Sequence, residues 1–382
     1  MTLIEVRKLF PHLKTDQIYF NHAAIGPWTT PVLNRITELT AQRSGQKIEN
    51  FQYFLKWSAN AKEKLGKLLN AKPDRIAWVE NVSNGINILA QGLDWKTGDR
   101  IILNDLEFPS NVYPFLNLKK YGVEIDMIKS KNGVCDFEDI EKAITPKTKL
   151  ISISAVQFLS GYRADVNAIG ELCKKHGIIF CVDAIQAAGV VQIDVEKFKI
   201  DYLAGGTHKW LMSSPGTAYI YLTEELQSRI DQKFVGWTSV KNAWNLLDYN
   251  LMLRNTADKF QNGTLNDFGI SILEAVLDLF VEFGMKNVQR RILENTNYFI
   301  ERLVELGIKP VLMNVPENNR AGIVSFKHEN ANYIFEELEK RRIYCAMREG
   351  LIRLSPHFYN TKDEIDRFVR VMNEVNNPQL GN

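Results

Sequence analysis

The sequence predicts an α/β protein: a doubly wound, mainly parallel sheet between helices, followed by a smaller α+β domain. Three observations point there. Short strand-like runs alternate with helical patterns along most of the chain. One run, Ile178-Ile179-Phe180-Cys181-Val182, is continuously apolar, as expected of a strand buried on both faces. The chain has 382 residues, 45% of them hydrophobic and 24% charged, enough for a large core that would normally divide into two domains.

Strand-like runs fall at 75–79, 100–103, 123–128, 149–155, 178–182, 202–204 and 218–222. Seven such runs suit one mainly parallel sheet. Helical patterns separate several of them, for example 167–176 after Asp165. Residues 224–265 lack clear periodicity and carry Gly236, Trp237, Trp244 and Gly263, which reads as an irregular connection bordering a site. An amphipathic helix near 269–283 opens the second domain, whose strands are 322–327, 343–347 and 351–355. The expected division is a large domain over 16–255 and a smaller one built from 1–15 and 256–382. No repeat or low-complexity stretch is seen.

The net charge of +2 predicts neither a nucleic-acid nor a membrane partner. The N-terminus has no apolar signal core, and no apolar run is long enough to cross a bilayer, so a cytoplasmic location is expected. The four cysteines, Cys135, Cys173, Cys181 and Cys345, form no Cys-x-x-Cys pair, and no metal site is expected. Cys173 and Cys181 sit in apolar segments and read as inert core thiols.

The most informative segment is Ala204-Gly205-Gly206-Thr207-His208-Lys209-Trp210, just past a strand end. The glycines allow close backbone approach to a ligand, and Thr207 and His208 can hydrogen-bond a phosphate. A lysine in such a pocket can have its pKa lowered and condense with an aldehyde. Upstream, the buried strand ends in Asp183, with Gln186 three positions later. A carboxylate at the carboxyl end of a central strand lies where open α/β sheets bind ligands. It can pair with a pyridinium nitrogen and keep the ring an electron sink. Alone, Lys209 reads more readily as a surface lysine, and Asp183 at least as readily as a helix N-cap. Together, 26 positions apart across one βαβ-like unit, they favour the chemical reading.

On these motifs the chain resembles the pyridoxal 5'-phosphate (PLP) enzymes of fold type I, in the class V aminotransferase group. That group includes cysteine desulfurases, kynureninases, isopenicillin N epimerase-like enzymes and cysteine C–S lyases. The resemblance runs from Tyr19-Phe20-Asn21-His22-Ala23-Ala24 to Ser355-Pro356-His357-Phe358-Tyr359-Asn360-Thr361. It implies that Lys209 carries the cofactor as an aldimine and that Asp183 faces the ring nitrogen. Asn81-Val82-Ser83-Asn84-Gly85 matches the phosphate loop, placing Val82, Ser83 and Asn84 at the cofactor beside Thr207 and His208. A helix N-terminus suits an anion, although Ser83 or Asn81 can equally be an ordinary cap. Phe108, in Leu106-Glu107-Phe108-Pro109-Ser110-Asn111, stands where desulfurases carry a ring-stacking histidine; it can stack but not move protons. Simple core packing is its other reading. Gln157 matches the residue at the ring-hydroxyl edge, with Gln186 the other candidate.

For the substrate, Arg353 matches the residue that forks onto an α-carboxylate, and Arg348 a second substrate-facing arginine. A surface ion pair is the other reading of Arg348. His22 and Ala23 match the N-terminal segment that closes the pocket, and His22 reads equally as a loop histidine without chemistry. The family places a phosphate ligand from a second subunit where Gly263-Thr264 stands, so Thr264 and a homodimer with a composite active site are expected. Trp28 and the connection over 236–264 are expected to set side-chain specificity.

One departure stands out. Desulfurases carry a nucleophilic cysteine in a loop between the two arginine motifs. Here only Glu349, Gly350, Leu351 and Ile352 separate Arg348 from Arg353. The expectation is a PLP enzyme acting on an amino-acid substrate, a small molecule, through a Cα carbanion, most simply a class V aminotransferase. β-Elimination by a cysteine C–S lyase and epimerisation share that carbanion. A nicotinamide oxidoreductase would need a Gly-x-Gly-x-x-Gly after an early strand, which is absent. An inactive binding protein would not need Lys209, Asp183 and Arg353 together.

Overall fold

Strand β1 (Ile18–Tyr19) is followed by the seven strands of the main sheet: β2 (Ile76–Val79), β3 (Arg100–Asn104), β4 (Glu124–Ile128), β5 (Thr148–Ser154), β6 (Ile179–Asp183), β7 (Tyr202–Gly206) and β8 (Ala218–Leu222). These are seen in a computed structural model that describes residues 1–376. The sheet order is β2-β8-β7-β6-β5-β3-β4. Its neighbours are parallel except where β8 pairs with β2 and β7. Seven strands were expected, and each of the seven sequence runs overlaps one of them, with ends that differ by up to two residues.

Side chains alternate across β6. Phe180 and Val182 face one core, which also holds helices Phe51–Leu69 and Asp267–Phe283. Ile179 and Cys181 face the other, against helix Val82–Gly92. Both faces are covered, and this accounts for the unbroken apolar run.

The second unit contains β9 (Val324–Lys327), β10 (Ile343–Tyr344), β11 (Ala346–Arg348) and β12 (Leu351–Leu354). Strands β11, β12 and β9 form an antiparallel sheet, and β1 pairs in parallel with β10. A third core, including Phe299, Leu303, Phe326, Ile352 and Phe368, lies here.

The cores do not divide at residue 256 as expected. Helix Asp267–Phe283 places Ile270, Leu273, Val276 and Phe280 in the large core. The next helix, Met285–Glu305, begins there with Val288 and Ile292 and ends in the small core with Phe299 and Leu303. The N-terminus is reversed as well. Val6 and Phe10 pack on the large core, whereas Ile18 and Phe20 join the small one. An amphipathic stripe reports that a helix is buried but not against which neighbour.

The chain passes from β3 outward to β4, then returns to place β5 on the other side of β3. The crevice beyond the carboxyl ends of β3 and β5 is therefore the topological switch point, where open α/β sheets bind ligands.

Candidate active site

Residues at the carboxyl ends of four neighbouring strands, β3, β5, β6 and β7, border this crevice. The segment after β3 carries Glu107 and Phe108. The segment after β5 is a hairpin over 155–164, closed by a bridge between Val156 and Arg163 and by the bond from Gln157 N–H to the Tyr162 carbonyl at 2.8 Å. Strand β6 delivers Asp183 as its last residue. Lys209 follows β7, in a bend whose His208 carbonyl accepts from Gly26 N–H at 2.8 Å. The N-terminal segment is thereby tied beneath the lysine.

Gly205 and Gly206 serve packing. A Cβ on Gly205 would lie 2.5 Å from the Tyr219 hydroxyl, and one on Gly206 would lie 2.7 Å from Ile185.

Lys209 Nζ lies 5.6 Å from the centre of the Phe108 ring. Phe108 is 42% exposed despite its apolar ring, and it meets Phe158 edge-on at 5.2 Å. Burial lowers the Lys209 pKa to about 8; the Asp183 charge opposes that shift, and Arg353 and Arg348 reinforce it. Burial raises the Asp183 pKa to about 7. The Ile185 N–H, at 2.9 Å, pulls it down, Glu107 raises it further, and Lys209 lowers it. The two side chains sense each other's charge but form no ion pair among the described residues. Thus half of the amine is free base near pH 8 rather than above about pH 10, and a buried carboxyl beside it lacks a cationic partner among the described residues.

Glu107, next to Phe108, has no role legible in the sequence. It is buried and accepts from Asn104 Nδ2 (2.6 Å), Asn111 Nδ2 (2.9 Å), Ser154 N (2.8 Å), Gln157 Nε2 (2.9 Å) and the Ser154 hydroxyl. This network fixes the Gln157 amide and leaves its buried Oε1 with no partner. Gln186 differs. Its Nε2 donates to the Ala23 carbonyl at 3.0 Å, and its Oε1 accepts from Trp210 Nε1 at 2.7 Å. Both ends are committed, so of the two candidates for a ring-edge contact only Gln157 has a free atom.

Helix Val82–Gly92 opens on the Asn81 cap, whose Oδ1 accepts from Asn84 N–H at 2.8 Å. The Asn84 amide is therefore engaged, and its Nδ2 donates to Glu80. The Val82 and Ser83 N–H groups remain at the helix start, where an anion is favoured. Ser83 donates to the Ser110 hydroxyl at 2.9 Å, joining this helix to the Phe108 segment. Thr207 departs from expectation. It is fully buried, and its single hydroxyl proton is committed to the Thr217 carbonyl at 2.7 Å. His208 is neutral near pH 7, because burial and the Lys209 charge lower its pKa to about 4. Thr264 is exposed on the connection after β8.

Arg353, on β12, is only 2% exposed. Its Nη1 donates to the Phe158 carbonyl at 2.7 Å, while its buried Nε has no partner. It makes no ion pair among the described residues, and burial, followed by repulsion from Arg348, lowers its pKa to about 10. Arg348 is exposed, with Nη1 donating to the Met347 carbonyl at 2.9 Å. His22 is not at a substrate face. It is buried, with Nδ1 on the Ser355 carbonyl at 2.9 Å and Nε2 on the Tyr359 hydroxyl at 2.8 Å. Burial drives its pKa well down, so it is a neutral structural imidazole. Ala23 is buried beside it, its N–H on Ser355 Oγ at 3.0 Å.

Residues 18–368 match the model of the family described as Aminotransferase class-V. The chain belongs to this PLP-dependent family. It is 28% identical to the uncharacterized aminotransferase YcbU of Bacillus subtilis (strain 168), over 94% of this chain and 95% of that one. Among solved structures, the apo cysteine desulfurase of Thermococcus onnurineus NA1 superposes with a TM-score of 0.88 at 25% identity, covering 97% of each chain. The cystine C–S lyase C-DES superposes with a TM-score of 0.85 at 24% identity, over 95% of this chain and 98% of that one; this likeness concerns the fold. The enzyme thus has the fold type I architecture. The free Gln157 and Arg353 atoms, the low-pKa amine and the unpaired Asp183 suit a phosphorylated pyridine aldehyde with an amino acid beside it.

Proposed function

We propose that this class V enzyme holds PLP on Lys209 and transaminates an amino acid. The observation that carries the reading is the buried Arg353, with no counter-ion and a free Nε, on the same crevice as a lysine whose pKa is lowered to about 8. When bound, the cofactor supplies an electron sink for charge left on the substrate's α-carbon. Asp183 holds the proton on the ring nitrogen, and becomes a carboxylate more readily once that cation faces it. Phe108 offers a flat apolar face, and the Gln157 amide borders the ring-hydroxyl edge. The Val82 and Ser83 amides receive the phosphate. Arg353 forks onto the substrate carboxylate and so orients the α-proton toward Lys209 Nζ. The free amine takes that proton and returns it.

Desulfuration through a protein persulfide is disfavoured by three features. Strands β11 and β12 are joined by the tight turn Glu349-Gly350, with Arg348 opposite Leu351. Cys345 is buried, and its thiol is pushed up to about 12, first by burial. Phe108 has no proton to move. β-Elimination from a cysteine-like substrate uses the same residues up to loss of the α-proton.

The test is a screen of the PLP-loaded enzyme with amino acids and a 2-oxo acid acceptor. A 2-oxo acid formed in step with the acceptor's amination supports transamination. Pyruvate with sulfide from cysteine, and no amination, would replace it with C–S lysis. An inverted amino acid would indicate epimerisation.

A further inference from the structure

A second cavity of about 510 Å³ opens on the large domain, away from the residues assigned above. Its floor is apolar: Ala155, Val182, Val191, Ile193 and Ile200 are all buried core side chains. Its rim carries the amides of Gln192, Gln289 and Asn319. Two cations, Arg163 and Lys197, and one acid, Asp165, complete the wall. A volume of this size, with an apolar floor and a few convergent polar groups, is that of a small-molecule site.

Arg163 gives the cavity its chemistry. Its backbone is held on both sides: N–H donates to the Asn319 carbonyl at 2.9 Å, and its carbonyl accepts from Asn319 Nδ2 at 3.2 Å. The guanidinium has no hydrogen bond and no ion pair among the described residues. Its pKa is lowered because burial strips its hydration, with the Asp165 charge opposing. Asp165 acts on it only through its charge: its Oδ1 caps helix Val166–His176 by accepting from Ala168 N–H at 3.0 Å, and it forms no ion pair with Arg163. A partly desolvated guanidinium without a partner, above an aliphatic floor, is suited to one planar anion attached to an apolar body. Phosphate or sulfate alone would leave the floor unused, and an apolar molecule alone would leave the guanidinium bare.

We propose that this cavity is a second binding site, distinct from the Lys209 crevice, for a monocarboxylate with a small apolar or aromatic body. The carboxylate takes both outer nitrogens of Arg163, the body lies against Val191 and Ile193, and the exposed Gln192 amide bonds any further polar group. The site stands at the base of the 155–164 hairpin that carries Gln157 and Phe158. It does not depend on the reaction proposed for the crevice.

The experiment is ligand-observed NMR titration of the full-length PLP-loaded enzyme with benzoate, using inorganic phosphate and benzyl alcohol as comparison probes. Because Arg353 also binds carboxylates, the titration is repeated in Arg353→Gln, where saturable benzoate binding is expected to persist. Arg163→Gln, made in that background, should weaken it by about tenfold or more. Gln192→Glu places a negative charge on the exposed rim without touching Arg163, and should weaken benzoate in the same direction even if Arg163→Gln folds poorly. Loss of all benzoate binding in Arg353→Gln, unchanged affinity in both rim and Arg163 variants, or equal affinity for phosphate or benzyl alcohol would overturn the assignment.

Discussion

At the scale of single residues, the site works by taking charges out of water and leaving them partners still to find. Lys209 and Asp183 are the clearest case. With its pKa lowered to about 8, Lys209 becomes mostly free amine above that pH, whereas an unperturbed lysine needs about pH 10.4. The rate of capture of PLP by the cofactor-free protein should therefore rise with pH and level off just above 8. A rate that keeps climbing through pH 10 would place the reacting amine elsewhere. Asp183 titrates the other way. Its folded pKa, about 7, is above the ordinary value of 3.8, so the folded cofactor-free chain keeps a proton that the unfolded chain releases. Its contribution to stability is therefore intact below about pH 4 and falls as pH rises to about 7, by on the order of a few kcal/mol at most. Asp183→Asn removes that fall. Urea unfolding of both cofactor-free proteins at pH 4.5 and 7.5 should find the variant gaining on the parent at the higher pH. An equal difference at both pH values would contradict the buried carboxyl. With PLP present, the same variant should slow α-proton loss more than it weakens cofactor binding.

Sequence made some of these residues legible and concealed others, for one reason. Asp183 and Lys209 are recognisable because one ends its strand and the other follows a strand end by three residues, and strand ends can be read locally. Thr207, Gln186 and His22 looked like ligands because their partners cannot be read locally. Thr207 meets Thr217, Gln186 meets Ala23 and Trp210, and His22 meets Ser355 and Tyr359. Glu107 was passed over because three of its five donors, from Ser154 and Gln157, lie 47 to 50 residues away, where its own motif does not show them.

At the scale of elements, the Glu349-Gly350 turn and the 155–164 hairpin shape the substrate end. Both turn residues have positive φ, 48° and 72°, the geometry of a two-residue hairpin turn. Gly350→Val should destabilise the chain by roughly 1–2 kcal/mol, because a β-branched residue resists that region. Arg353, two residues into β12, should then lose its hold on the Phe158 carbonyl before the large domain melts. Denaturant unfolding followed by carboxylate affinity checks this, and an unchanged midpoint would contradict the strain argument. The same short turn predicts that Cys345→Ser leaves turnover with amino acids intact. Alanine formed from cysteine by the parent, and lost in Cys345→Ser, would instead identify a persulfide carrier.

At the scale of the whole molecule, the connection after β8 displays an apolar ribbon. Trp244, Leu247, Tyr249 and Leu251 are exposed, Leu247 at 84% and Tyr249 at 89%. Large exposed apolar side chains gathered on one connection fit a protein interface. The exposed Thr264 lies on the same connection. Both features support the proposal of a homodimer in which Thr264 of the partner subunit reaches the phosphate. Thr264→Ala should release PLP several-fold faster without lowering the unfolding midpoint, and dilution that separates subunits should release it too. A monomer by light scattering with full PLP occupancy and activity would contradict this arrangement. The fold itself was largely legible, because strand periodicity and turn signals are local. The division between cores was not, because it runs through a single helix, Met285–Glu305, whose two ends pack on different cores.

The central claim is that Lys209 is the residue that holds the cofactor. Borohydride reduction of the PLP-loaded protein, followed by peptide mass spectrometry, tests it most directly. The account predicts one phosphopyridoxyl group, on the peptide containing Lys209, and none in Lys209→Ala even where that variant still retains the cofactor. A label on any other lysine, or an unlabelled Lys209 in a protein that forms the yellow complex, would contradict it.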